Sequence, residues 1–149
     1  MNPALDSLIE CVTTQTAVVR EFIAVLENEA RTLLDPGSDE QLIDLTQRKS
    51  DFAAQLAQLD QQRTELLGTL NFGADQSGIQ AACTQFPTLA APFETLFELA
   101  RQAAELNQRN GQIIQAFLAD NQRAMATLRS LMGDDLYDAK GRITKPSSP

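Results

Sequence analysis

The chain has 149 residues, 12 of them Lys or Arg and 20 Asp or Glu, with no His and no Trp. Its net charge of −8 repels phosphate backbones and speaks against a nucleic-acid partner. The missing histidines remove the commonest acid-base residue and metal ligand. Few aromatics beside abundant Ala, Leu and Gln favour long helices over sheets, so the composition predicts an all-α protein.

The first helix is expected from Pro3, with Asn2 as its cap, to about Leu34. Leu5, Val12, Val19, Leu26 and Leu33 recur every seven residues, with Leu8, Gln15, Phe22 and Glu29 interleaved and Ile9, Thr16, Ile23 and Ala30 widening the stripe. This is a coiled-coil-like seam with two polar gaps. Asp35-Pro36-Gly37-Ser38 ends it, because Pro cannot continue a helix and Gly accepts the positive φ of a tight reversal.

The second helix, expected over 39–70, opens with Ser38 and Gln41 in capping-box spacing. Leu45, Phe52, Leu59 and Leu66 form one heptad series, and Leu42, Lys49, Leu56, Arg63 and Leu70 the other. Lys49 and Arg63 therefore stand on the seam. Their stems can lie on apolar surface while the charges reach water or a carboxylate, which serves register selection or partner binding.

Two Gly, then Phe86-Pro87, mark residues 71–88 as a connection with room for a turn or two of helix at Ile79–Cys83. Such a segment is either mobile or folded against the end of a bundle, and mobility is the expectation here. The third helix is expected from about Leu89 to Met132. One heptad series reads Leu89, Leu96, Ala103, Asn110, Phe117, Ala124 and Leu131; the other reads Phe93, Ala100, Asn107, Ile114, Asn121 and Leu128. On this reading Asn107, Asn110 and Asn121 are seam residues. Buried Asn costs stability but fixes register, since a misaligned Asn is left with unpaired hydrogen-bonding groups; contact with a partner is the alternative role. Gly111 beside them permits close approach or a break.

At about 1.5 Å per residue the first two helices reach roughly 50 Å and the third about 65 Å. In an up-down-up arrangement the surplus carries Phe117, Leu118, Met125, Leu128, Leu131 and Met132, an apolar face suited to a partner or to a second copy. The domain plan is thus a helical domain over 1–132 and a flexible tail over 133–149. All acidic residues lie at or before Asp138, whereas Lys140, Arg142 and Lys145 follow it.

Cys11 and Cys83 show no metal or redox spacing and read as small, buried or half-buried residues. No phosphate loop, nucleophile elbow or zinc pattern occurs, so neither catalysis nor a cofactor nor a metal is expected. The N-terminus lacks a basic start and an apolar run, and no stretch has the length of a membrane helix. A cytoplasmic protein without membrane insertion is the expectation.

Leu106-Asn107-Gln108-Arg109-Asn110-Gly111, the amphipathic stretch to Leu131, and Leu136-Tyr137-Asp138-Ala139-Lys140-Gly141-Arg142 together resemble the FlgN family of flagellar export chaperones. The tail is similar to the family's Leu-Tyr-Gly-x-x-Gly ending, with Asp138 where Gly is usual. A second similarity runs from Leu45-Thr46-Gln47-Arg48-Lys49-Ser50 to Leu59-Asp60-Gln61-Gln62-Arg63, like the family's Thr-x-x-Lys segment followed by Leu-x-x-Gln-Arg. The resemblance covers about residues 5 to 142. The helix plan agrees with it: the heptad series and turns predict an elongated, antiparallel, coiled-coil-like helical protein, and the resemblance implies a chaperone acting without cofactor in type III secretion. The implied clients are hook-associated (hook-filament junction) proteins of the FlgK/FlgL type, held by their C-terminal helical segment and delivered to the cytosolic domain of the export gate. Mapped here, client binding falls on Ile114, Phe117, Leu118, Asn121, Ala124, Met125, Leu128, Leu131 and Met132, and gate docking on Leu136, Tyr137 and Gly141. A client-free homodimer through the same face stays open, as does a purely structural coiled-coil protein without a client.

Overall fold

The computed structural model describes residues 2–35 and 37–132, without the side chains of residues 117, 118, 120–122, 124, 125 and 132. The regular structure of the described residues is all helical, with no strand: α1 (Pro3–Leu33), α2 (Asp39–Thr69), α3 (Gln76–Gln85), a 3-10 turn (Pro87–Leu89) and α4 (Ala90–Met132). The chain divides into two units, Met1–Asn110 and Gly111–Pro149, the division falling within α4.

Helix ends follow local chemistry. Asn2 caps α1, its Oδ1 accepting the amide proton of Leu5 at 3.2 Å, with Pro3 in the first turn. Gly37 takes a φ of 85° in the reversal to α2. The expected capping box at Ser38 does not form. Its hydroxyl lies instead 2.8 Å from the Thr32 carbonyl and 2.6 Å from that of Asp35, its one proton shared between the two acceptors, which ties the end of α1 to the start of α2.

Asn71, at φ 68°, closes α2 in a left-handed cap. The Phe72 amide reaches the Leu67 carbonyl at 2.9 Å and the Asn71 amide that of Gly68 at 2.9 Å. Phe72 then packs edge-on against Phe86, with ring centroids 6.3 Å apart.

The connection expected to be mobile is folded. Asp75 Oδ1 accepts the Gly78 amide at 2.8 Å and starts α3, whose Ile79 and Ala82 are buried in the main core. Gly78 is required there, since a Cβ would overlap the backbone carbonyl group of Gly73. Burial of Ile79 and Ala82 offsets the poor helix propensity of a ten-residue segment containing Gly.

Within the first unit α1 is the shared element. Leu8, Val12, Val19 and Leu26 join Leu67, Ile79, Ala82, Leu89, Phe93, Leu96 and Ala103 in one core, while Cys11 and Val18 form a smaller cluster with Leu59. Phe22 and Phe52 add a tilted ring contact at 6.1 Å between α1 and α2. Every α1 position assigned to the stripe is buried or half-buried, as is every α2 seam position.

The third helix of the sequence reading needs one correction. Leu89, Leu96, Ala103 and Asn110 are buried as expected, but Ala100 and Asn107 are exposed. Leu99 and Leu106, three residues after Leu96 and Ala103, are half-buried against the core in their place. An alternation of three and four residues keeps a seam facing one neighbour, whereas the series begun at Phe93 turns away from it.

Candidate functional site

Two polar layers interrupt the seam of α1, and the cations on α2 meet them. At the first, Gln15 is buried; its Oε1 accepts from Arg63 Nη1 at 3.0 Å and its Nε2 donates to Asp60 Oδ1 at 2.6 Å. Arg63 Nη2 also lies 3.1 Å from Asp60 Oδ1, while its Nε is buried without a hydrogen-bond partner among the described residues. At the second layer Glu29, 2% exposed, takes Lys49 Nζ on both oxygens, at 3.1 and 3.2 Å. Asn110, 1% exposed, donates through Nδ2 to the Leu26 carbonyl and to Glu29 Oε1, each at 2.9 Å.

Gln15 and Glu29 are fourteen residues apart, and so are Lys49 and Arg63, so the two antiparallel helices bring both pairs level at once. A slip of one heptad would set Gln15 and Glu29 against Leu56 and Leu42, or against Leu70 and Leu56. Either alternative strands polar groups on leucine, which costs on the order of 1–3 kcal/mol for each unmet hydrogen-bonding group and more for a charge. The layers therefore specify register.

An open groove of about 480 Å³ runs between α1 and α2, lined by Ser7, Glu10, Cys11, Thr14, Leu59, Gln62, Glu65, Leu66 and Thr69. Cys11, one of these lining residues, is buried, its thiol donating to the Leu59 carbonyl at 3.6 Å. Burial pushes that thiol upward, against the opposing pull of Arg63, which disfavours the thiolate a reactive cysteine needs. Cys83 is likewise pushed up by burial, with help from Glu94. On the exposed side of α4, Arg101 bridges Glu98 and Glu105; its hydrogen bond holds the Glu98 carboxyl below its ordinary value. Among the described residues, no group of three or more acidic or thiol side chains could hold a metal ion.

The residues expected to bind a partner lie on the second unit. Ile114 is half-buried, Leu128 is 48% exposed and Leu131 is 78% exposed. Phe117, Leu118, Asn121, Ala124, Met125 and Met132 belong to α4, but their side chains lie outside those described. Leu136, Tyr137 and Gly141 lie outside the described residues altogether. Asn107 and Asn110, read together on the seam, are separated: Asn110 is buried against α1 and Asn107 faces water. Gly111 meets no described atom within 4 Å of where a Cβ would stand. Sequence reasoning missed the polar partners of Gln15 and Glu29; the paired spacings of gaps and cations were the available signal.

A family model described as "FlgN protein" matches residues 1–145. The chain belongs to the FlgN family. It is 33% identical over 97 residues to the flagella synthesis protein FlgN of Yersinia enterocolitica, a match covering 65% of this chain and 61% of that protein. To the flagella synthesis protein FlgN of Salmonella typhimurium it is 22% identical over 133 residues, covering 88% and 91% of the two chains. The aligned part thus spans under two thirds of the Yersinia relative and most of the Salmonella one. No solved structure matches. FlgN relatives are named for flagellar synthesis, and no described helix of this chain is long and apolar enough to cross a membrane.

Proposed function

We propose that the protein is a cytoplasmic export chaperone of flagellar type III secretion, without catalytic activity. It binds the C-terminal helical segment of a hook-filament junction protein of the FlgK/FlgL type, prevents its premature assembly and delivers it to the cytosolic domain of the export gate. Membership of the FlgN family supports the process. The observation that carries the binding mode is the exposure of Leu128 and Leu131, three residues apart and so on one side of the second unit's helix. An amphipathic client helix laid on that side would bury both, each contributing roughly 1.5–3 kcal/mol before ordering costs. Ile114, Phe117, Leu118, Asn121, Ala124, Met125 and Met132 would complete the face, and Leu136, Tyr137 and Gly141 would dock at the gate.

The test uses the full chain carrying Leu128→Asp and Leu131→Asp, titrated calorimetrically with the client's C-terminal segment. Leu34→Asp, at an exposed leucine of the first unit, is the control. The double variant should bind about a hundredfold more weakly or worse, and the control unchanged. Equal affinities would remove the proposal. Tyr137→Ala should keep client affinity and weaken gate binding; loss of both would refute the division of labour. The competing structural reading, a dimer through the same leucines with no client, predicts a client-independent sedimentation shift abolished by the double variant.

A further inference from the structure

We propose that the Glu29 carboxylate couples α2 to α4, so that Lys49 holds the end of the first unit's α4 segment in place through Glu29. The argument rests on how the hydrogen bonds are shared. Asn110 Nδ2 has two protons, and both are used, on the Leu26 carbonyl and on Glu29 Oε1. Glu29 Oε1 is thus common to Asn110 and Lys49, while Oε2 is held by Lys49. Lys49 bonds to Glu29 and not to Asn110, yet it is the cation that neutralises a carboxylate with a side chain only 3% exposed. Without it the carboxylate would turn toward water, because an unpaired charge is not tolerated in that setting, and Asn110 would keep a single bond. Of the three residues, Lys49 alone is appreciably reached by solvent, its side chain being 23% exposed, so the coupling can be disturbed from the surface of α2.

The other polar layer provides an internal control. Gln15, Asp60 and Arg63 belong to α1 and α2 alone, and among the described residues their hydrogen bonds do not extend to α4. Both layers brace the hairpin; of the two, the Glu29 layer reaches α4.

Amide hydrogen exchange on the full chain, read residue by residue, tests the coupling. Lys49→Met should speed exchange at Ala103–Asn110 by about tenfold more than Arg63→Met does, at denaturant concentrations that equalise the two global stabilities. Glu29→Gln, which keeps an acceptor for Asn110 and loses the ion pair, should fall between them. Equal exchange at these amides in the two cation variants would overturn the proposal, as would strict additivity of Lys49→Met and Asn110→Ala in a double-mutant cycle. If Lys49→Met does not fold, Lys49→Gln takes its place in both comparisons with the same outcomes.

Discussion

The side-chain amide of Asn110 meets the carboxylate of Glu29 at 2.9 Å between α4 and α1, with both residues almost wholly removed from water. A hydrogen bond to a charged group in such a setting is worth roughly 1.5–3 kcal/mol. Asn110→Ala should lower the unfolding free energy by about that amount, whereas Asn107→Ala, at an exposed helical site, should change it by no more than about 0.5 kcal/mol. Urea titrations with unchanged slopes would measure both, and similar losses at the two sites would contradict the burial difference.

Two glycines make an opposed pair. A Cβ on Gly78 would overlap the Gly73 backbone, so Gly78→Ala should destabilise by about 1–3 kcal/mol or unfold α3. Gly68, near the end of α2, has nothing within 4 Å, and Gly68→Ala should stabilise by about 0.5–1 kcal/mol through helix propensity. Thermal melts of the two variants should move in opposite directions.

Asn71 occupies a left-handed conformation that costs an L-residue about 1–2 kcal/mol, less for Asn, whose side chain finds local partners. Asn71→Gly should therefore leave stability unchanged or raise it by up to about 1 kcal/mol, and Asn71→Val should lower it. Unfolding midpoints decide, and a loss on going to Gly would mean that the Asn side chain does more than tolerate the angle.

Burial raises the Cys11 thiol above its ordinary value of 9.0. A group whose folded value is raised lends stability that is complete below the unfolded value and is lost as pH climbs through the folded one. Stability should therefore fall above about pH 9, and Cys11→Ala should reduce that alkaline loss. Midpoints at pH 7 and pH 10 for the two proteins measure it.

The α1 stripe was legible because it is read at helical period and is buried on nearly all its flanks. Lys49 and Arg63 were recognisable as seam cations, and Gln15 and Glu29 as polar gaps, yet their pairing depends on how far the two helices are offset. Equal spacing within each helix could have disclosed that offset. The misplacement of Ala100 and Asn107 has a different origin. Near Phe93 the helix is surrounded by more of the core, so a step of four residues from Leu89 is also buried; further on only the three-four alternation keeps contact. A turn or two of helix at Ile79–Cys83 was legible, but its docking was not, since that lies in burying Ile79 and Ala82 against residues distant in the chain. The face from Ile114 to Leu131 was readable as apolar, but an apolar face does not state what covers it.

Because α1 carries both seams, it is needed twice during folding. Its partner α2 follows after a short turn, so the hairpin can close while the chain is still being synthesised, and local contacts of this kind form fast. Leu67, Ile79 and Ala82 can cover part of the stripe of Leu8, Val12, Val19 and Leu26 as they emerge, and the rest waits for residues 89–110. Over that interval the half-made protein presents part of an apolar strip of its own, and the arrival of α4 completes its cover.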